Sequence, residues 1–276
     1  MADFIDFFIA EQYLEHKYHK PERMDLPLPD EDFALEWAAW LEGRNGGFPK
    51  EARPLLSSLG TRAWIEATPA GRIPAVYTED RQTFERLIAI LSLDNDDEGG
   101  LPASVNAFTV PCRCPGFEDH RVILLHKSGY SLLPPWSVGL GDDEWLEKSF
   151  VLRLHHECCH YFTLRVLGGM KTHALDEIIA DCAGQLAALG RYDASLQRKF
   201  FGLEDRERIA PGGRLGFYVR NLSKGATYAV CRKVNEALDG LEGYLEKNAE
   251  MAHISRRPEL IVKLAALGLP GIAELR

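Results

Sequence analysis

Long hydrophobic runs are missing from this sequence. No stretch of eighteen or more apolar residues occurs, which is the length that a membrane-spanning helix needs. The first residues, Met-Ala-Asp-Phe-Ile-Asp, are acidic where a secretory signal would have Lys or Arg, and no adequate apolar run follows. We therefore expect a cytoplasmic protein with no membrane insertion.

Positive charges are fewer than negative charges, and the cysteines are too few for a dense disulfide framework. The chain has 32 Lys and Arg against 41 Asp and Glu, a net charge of −9 without a basic cluster, which argues against nucleic acid as the main partner. Six cysteines in 276 residues without a secretory signal predict reduced thiols rather than a disulfide framework. A length of this size suffices for one large domain, or for a core with helical additions.

One short segment stands out, His156-Glu157-Cys158-Cys159-His160. On an α-helix, two histidines at i and i+4 rise from adjacent turns of one face, so they can bind one metal ion together. Glu157 lies beside that face, where it can take a proton from a metal-bound water instead of binding the metal. The pattern predicts a zinc hydrolase.

The alternative is a pair of core histidines. Apolar residues of the same segment recur at helical spacing and would form its buried stripe, opposite the two imidazoles. This stripe consists of Phe150, Leu154, Cys158 and Tyr161. We therefore predict that His156 and His160 face a cleft.

The next predicted helix supplies a third ligand. Glu177 and Asp181 are four residues apart and share one face, while Leu175, Ile178 and Ile179 mark the buried side. Glu177 can bind the metal, and Asp181 can accept the other ring N–H of a ligating histidine. The alternative is a solvated acidic face.

The order His156-Glu-x-x-His160 followed by Glu177-x-x-x-Asp181 resembles the gluzincin metallopeptidases, in which two histidines and a later glutamate hold zinc. Residues 176–184 are similar to the glutamate helix of thermolysin-like peptidases. Glu177 to Asp181, followed by Gly-Arg-Tyr-Asp at 190–193, resembles CAAX-type peptidases. The resemblance spans residues 73–193.

A third match lies upstream, where Val105-Asn106-Ala107-Phe108 resembles the Asn-Ala-aromatic segment at the substrate-binding sheet edge of both families. The resemblance implies that Asn106 and Ala107 hydrogen-bond an extended peptide as an added strand. It also implies an oxyanion-stabilising Tyr or His after the glutamate helix. Tyr218, Tyr228 and His253 are available, and Tyr218 is preferred.

The expected fold is α+β, with a zincin-like core of a small twisted sheet, an active-site helix and a glutamate helix. We assign residues 1–70 to a helical N-terminal region, 71–193 to the catalytic core and 194–276 to a helical C-terminal region. Strands are predicted at 73–78, 104–110 and 121–126, and helices at 79–93, 228–250 and 258–267. The active-site helix is expected to begin at Asp142 or Asp143, either of which could cap it.

Other features have simpler explanations. Cys112 and Cys114 could bind metal or form a disulfide, but without a second pair we expect turn cysteines. The acidic segment 94–100 lacks the ligand spacing of a calcium loop and is expected to be solvated. The apolar face around Trp37 and Trp40 predicts docking onto the core, with an inhibitory cover over the cleft as the alternative.

The functional expectation is a zinc-dependent peptidase of peptide or protein substrates, with Zn²⁺ as cofactor and Glu157 as general base. No anchor motif for a free amino terminus stands out, so we expect an endopeptidase. Two other classes stay open. One is a zincin-fold binding or regulatory protein with structural zinc, against which Glu157 argues because such a site needs no base. The other is a helical interaction protein without stoichiometric metal.

Overall fold

A four-stranded mixed sheet lies between two layers of helices in the computed structural model, which describes residues 2–26, 28, 32–44, 46, 48–92, 104–114, 120–204 and 207–275. The spatial order of the strands is β1-β2-β4-β3. Strands β2 and β4 run parallel, and the two outer pairs are antiparallel. The strands are β1 (Thr61–Thr68), β2 (Gly71–Thr78), β3 (Ala107–Pro111) and β4 (Arg121–His126).

Eleven α-helices are found among the described residues, with a two-stranded hairpin and three short 3-10 segments. The helices are α1 (Ala2–Leu14), α2 (Asp32–Leu41), α3 (Ala52–Leu56), α4 (Arg81–Leu91), α5 (Pro135–Val138), α6 (Asp142–Leu167), α7 (Ala174–Ala188), α8 (Ala194–Phe201), α9 (Leu215–Val219), α10 (Lys224–Lys247) and α11 (Arg257–Ala273). The hairpin pairs β5 (Leu203–Glu204) with β6 (Arg208–Ile209), and the 3-10 segments are Tyr130–Leu132, Ala249–Ala252 and Ile254–Arg256.

Alternation along the strands gives each face of the sheet its own apolar core. Ile73 and Ile123 point to the face covered by α6, α7, α10 and α11. Val76 and Leu124 point to the opposite face, where α2 and α4 cover them. Strand β2 is therefore buried on both faces, with Arg72 as its one exposed residue.

Helices α6 and α7 contain the candidate site residues, and they pack closely because Gly184 of α7 faces α6. A methyl group added at Gly184 would lie 2.7 Å from the carbonyl oxygen of Leu152. Only a residue without a side chain permits this approach. Since Glu177 and Asp181 are on the same helix as Gly184, the contact also sets how near their carboxylates come to the imidazoles of α6.

We expect Gly184→Ala to destabilise the protein by about 1–3 kcal/mol, the usual cost of overpacking a core. Gly243→Ala in α10 is the matched control, because a methyl group there would meet nothing within 4 Å. It should stabilise by up to about 1 kcal/mol through helix propensity. Urea unfolding measures both, and a Gly184→Ala protein as stable as wild type would contradict the close approach.

The α+β class is confirmed, and several predicted boundaries need correction. Strand β1 was missed, because residues 1–70 were expected to be helical. Neither Asp142 nor Asp143 caps α6, because the N-cap is Gly141. Both aspartates lie in the first turn, where their negative charge interacts favourably with the helix dipole. Strand β3 begins at 107 rather than 104.

The three regions assigned from the sequence share a core. One cluster of buried residues contains Ala10, Ile123 and Leu238, one from each region. Trp37 and Trp40 pack under the sheet with Phe84, as a docking face would. The acidic segment 94–100 lies outside the described residues. None of the described helices is both long and apolar enough to cross a bilayer.

Candidate metal centre

Three side chains from α6 and α7 converge at a buried point. His156 and His160 come from α6 and Glu177 from α7, and each is 7% exposed. The two Nε2 atoms are 2.9 Å apart, and the Glu177 oxygens lie 3.6 Å from His156 and 3.5 Å from His160. Ligand atoms about 3.4 Å apart are expected around a tetrahedral ion with bonds of about 2.0–2.2 Å. The set can therefore hold a metal ion.

Asp181 fixes the orientation of the first imidazole. It is fully buried and lies 2.8 Å from Nδ1 of His156. A ring that donates Nδ1–H to this carboxylate keeps the Nε2 lone pair for a metal. Gln197 Nε2 and Tyr130 OH each donate to Asp181 at 2.5 Å, and Arg214 forms an ion pair with it.

The charge of Asp181 is secured by these partners. Burial alone would raise the pKa of this carboxyl, but the positive charge of Arg214 and the hydrogen bond with His156 hold it below its ordinary value. Arg214 also lies over the ring of Tyr130, 5.5 Å from its centroid. Asp181 therefore stays ionised at neutral pH.

Glu177 and His160 lie within ion-pair distance, 3.5 Å apart. Burial opposes the charge of Glu177, yet the hydrogen bond to His160 and the charges of both imidazoles lower its pKa to about 2. Burial likewise opposes the charge of His160, but the hydrogen bond and charge of Glu177 raise its pKa to about 9. A metal ion that binds here must displace a proton from His160.

Glu157 faces the same cleft from α6 and is held by the sheet. The Thr109 hydroxyl of β3 donates to Oε2 of Glu157 at 2.7 Å, and it lies 3.2 Å from the main-chain oxygen of the same residue. Both residues are buried. The carboxylate therefore has a fixed position beside the three candidate ligands without being one of them.

We expect Thr109→Val to lower the rate of any reaction that uses Glu157 as a base by about tenfold, since the loss of one hydrogen bond to a charged group costs about 1.5–3 kcal/mol and only part of it acts on the transition state. Thr109→Ser retains the hydroxyl and is the matched control. Steady-state kinetics and metal content measure the effect. Equal rates for the Val and Ser variants would show that Thr109 does not position Glu157.

The centre opens into a cleft of about 650 Å³. One wall is strand β3, which lies at the edge of the sheet. The main-chain N–H of His126 donates to the main-chain oxygen of Asn106. Because main-chain groups alternate in direction along a strand, those of Ala107 and Thr109 point to the free edge of β3. Ala107 thus offers main-chain donors and acceptors to the cleft. Asn106 is held differently from the expectation that it would hydrogen-bond a peptide: its main-chain oxygen faces β4, and its side-chain oxygen lies 2.8 Å from His126 Nδ1 and accepts from Arg81 at 3.2 Å.

Of the three residues considered for oxyanion binding, the structure brings Tyr218 to the site. Its hydroxyl hydrogen-bonds Glu177 and it lines the cleft. Burial and the charge of Glu177 raise the pKa of this hydroxyl above its ordinary value, so it remains a donor. Tyr228 and His253 are not among the described lining residues, and His253 contacts Ser255 instead.

The cysteines are structural in this arrangement. Cys112 and Cys114 are buried in the core beneath the sheet, and neither forms a disulfide with a described cysteine. Cys159 is buried as well. His155 lies four residues earlier on α6, and burial lowers its pKa to about 4. Among the described residues, none of these cysteines belongs to a group that could hold a metal ion.

A second histidine cluster joins the N-terminal segment to the start of α7. His16 contacts Asp176 at 3.0 Å, and His173 lies close by. Nδ1 of His173 accepts a hydrogen bond from the Leu175 N–H, and Nε2 donates one to the main-chain oxygen of Tyr13. Both ring nitrogens are therefore used, and neither has a lone pair left for a metal. The cluster fastens the N-terminal segment, and no described residue from 1 to 70 lines the cleft.

Comparison with known proteins gives a family without an assigned activity. Residues 113–276 match the model of a family of unknown function (DUF7005), and the chain belongs to that family. No curated protein and no solved structure matches the chain. The matched region includes α6 and α7, and it starts just after strand β3.

Several site residues had no signal in the sequence. Thr109, Tyr130, Gln197 and Arg214 come from four separate elements or loops, and none belongs to a spaced pattern with its partner. The acidic pair Glu177 and Asp181 was found because both residues lie on one helix.

Proposed function

We propose that the protein is a zinc-dependent metallopeptidase that cleaves internal peptide bonds, with Glu157 as general base. The observation that supports this most is the buried triangle of His156, His160 and Glu177 beside a carboxylate that is held in place but is not a ligand. A site that only stabilised the fold would have no use for that fourth group.

The donor set favours zinc. Two imidazole nitrogens and one carboxylate are a set that zinc accepts in catalytic sites, where three protein ligands leave a fourth position open. When bound, zinc supplies a Lewis acid that polarises a carbonyl and makes water more acidic. Hard cations such as calcium and magnesium prefer sets made of oxygen atoms.

The chain's own residues do the rest. Glu157 accepts a proton at a carboxylate oxygen and returns it to the leaving amine, while Thr109 keeps that carboxylate aimed at the cleft. Tyr218 remains protonated, and its single O–H would turn from Glu177 to donate a hydrogen bond to negative charge that develops on the carbonyl oxygen. Asp181 keeps His156 in the tautomer that binds metal.

Strand β3 supports a peptide substrate in particular. Its free edge runs along the cleft and can pair with an extended peptide, so that backbone hydrogen bonds hold the chain independently of its sequence. Leu132, Met170 and Phe217 line the same cleft and are exposed, so apolar side chains of a substrate would find contacts there.

The test is an unbiased cleavage profile. Zinc-loaded protein is incubated with a mixed peptide library, and the products are identified by mass spectrometry with and without a chelator. We expect cleavage at internal bonds that stops with the chelator and returns with zinc. A stoichiometric metal without cleavage of any peptide would contradict the peptidase and favour a binding protein with structural zinc.

A further inference from the structure

The cleft that contains the candidate centre has a positively charged wall, although the chain as a whole is acidic. Its only described acidic residues are two carboxylates that the proposed function already uses, as base and as metal ligand. The cationic lining residues are Arg153, Lys171, Lys199 and Arg214, and the two carboxylates are Glu157 and Glu177. A bound metal ion would make this charge more positive.

Arg153 differs from the other three cations because it is buried without a carboxylate in direct contact. It is 4% exposed, and it forms no ion pair among the described residues. Arg214 is paired with Asp181, whereas Lys199 donates to the Ser137 oxygen near the surface. The charge of Glu157, one turn later on α6, acts on Arg153 without forming an ion pair with it. A buried guanidinium that has no carboxylate in direct contact is costly, so we expect a contact partner from outside the chain.

The neutral groups around Arg153 orient the guanidinium without neutralising it. Its nitrogens donate to the Ser128 oxygen at 2.7 Å, to the Ser128 hydroxyl at 2.6 Å and to the Gly129 oxygen at 2.8 Å. These three bonds leave two of the five guanidinium N–H groups for another acceptor. Burial lowers the pKa of Arg153 to about 10, which still leaves the group charged at neutral pH.

A second unpaired polar group lies in the same wall. The hydroxyl of Ser131 is buried and has no hydrogen-bond partner among the described residues, and Ser131 lines the cleft. Its φ of 50° is in the left-handed region, which is unusual for a residue other than glycine. Ser131 follows Gly129, whose oxygen Arg153 binds, by two residues. The Ser131 hydroxyl is therefore a second donor in the lining of this cleft that has no acceptor among the described residues.

We propose that Arg153 binds a carboxylate of the substrate, so that the cleft selects peptides with a negative charge close to the scissile bond. This inference rests on the proposed function for the meaning of that bond. Arg153 lies one helical turn before Glu157, a separation of about 6 Å, which corresponds to about two residues of an extended peptide. The carboxylate can belong to an Asp or Glu side chain or to the chain end of the peptide, since the chemistry is the same.

Binding is measured first, because it does not require turnover. Zinc-loaded Glu157→Gln protein is titrated into fluorescein-labelled hexapeptide mixtures that are matched in pairs. One pair has Glu or Gln at a fixed central position with both ends blocked, and the other has Gln there with a free or amidated carboxyl terminus. We expect the charged member of at least one pair to bind roughly 10- to 100-fold more tightly, as a hydrogen bond to a charged group allows. Which pair responds identifies the source of the carboxylate.

Adding Arg153→Met to the same protein should remove most of this difference, and Arg153→Lys should retain part of it because the charge remains without the planar fork. Lys171→Met is the matched control and should leave the preference in place. Circular dichroism and zinc content show whether each variant folds. If Arg153→Met does not fold, the comparison of Arg153→Lys with the Glu157→Gln protein that retains Arg153 still tests whether Arg153 binds the carboxylate.

Equal binding of charged and uncharged members in both pairs would overturn the inference, as would a preference that survives Arg153→Met and disappears in Lys171→Met. Neither result depends on hydrolysis. If the wild type cleaves no peptide but the charged mixtures still bind through Arg153, the proposed function fails and the anion site stands. If cleavage occurs without any preference for acidic peptides, the reverse holds.

Discussion

Glu157→Gln should lower kcat by about 10²- to 10⁴-fold, the usual contribution of a positioned general base, while the metal stays bound. Gln has nearly the same shape as Glu but cannot accept the proton. The three candidate ligands are untouched, and Thr109 can still hydrogen-bond the amide oxygen. Steady-state kinetics on a cleaved peptide and metal analysis of the purified variant measure the two parts of this prediction.

Glu144→Gln is the matched control, because Glu144 is exposed in the first turn of the same helix. It should leave both the rate and the metal unchanged. Two results would contradict the role assigned to Glu157. Retained hydrolysis would mean that another group is the base, and loss of the metal would mean that Glu157 is itself a ligand.

Glu177→Gln should weaken zinc binding by more than about 100-fold, and hydrolysis should fall with the metal content. Loss of a hydrogen-bonding partner outside the ligand set typically costs about 10- to 100-fold in metal affinity, and removing a charged ligand should cost more. The carboxylate lies 3.5–3.6 Å from both imidazole nitrogens, and Glu177 is the one carboxylate that the described residues group with the two histidines. Chelator competition measures the dissociation constant.

Asp181→Asn is the graded comparison for this experiment. It leaves all three ligands in place but removes the charge that orients His156, so affinity should fall by about 10- to 100-fold. The comparison of the two losses of zinc affinity is informative, because Glu177→Gln should lose more than Asp181→Asn. If Asp181→Asn lost more zinc than Glu177→Gln, Glu177 would not be a ligand, and the centre would need a different third donor.

The parts of the site that could be predicted from the sequence are those set by helix geometry. A helix fixes the relation between residues four apart, so His156 and His160, and likewise Glu177 and Asp181, could be placed on common faces before the fold was known. The expectation that the histidines lie opposite a buried stripe was too simple, because the cleft side of α6 is itself covered and His156 is 7% exposed.

The supporting residues could not be predicted, because they depend on contacts between distant segments. Thr109 reaches Glu157 only because β3 pairs with β4 in one register and α6 packs against that edge. A shift of one residue would turn Thr109 to the other face of the sheet. Arg214 arrives at Asp181 from a loop 33 positions later, and no periodic pattern links them.

Strand β1 shows the same limit in the fold. Its residues are half-buried except Arg62 and Ala67, which are exposed. The side chains do not alternate strictly between apolar and polar. What makes Thr61–Thr68 a strand is its pairing with β2 across a tight turn, which supplies backbone partners along its whole length. Strand propensity depends strongly on such neighbours.

Anomalous diffraction at the zinc absorption edge, from crystals of protein loaded with one equivalent of zinc, tests the central claim most directly. We expect one ion at about 2.0–2.2 Å from Nε2 of His156, Nε2 of His160 and one oxygen of Glu177, with Glu157 outside bonding distance. An ion at Cys112 and Cys114, an ion bound by Glu157, or a Glu177 side chain turned away from the imidazoles would contradict it.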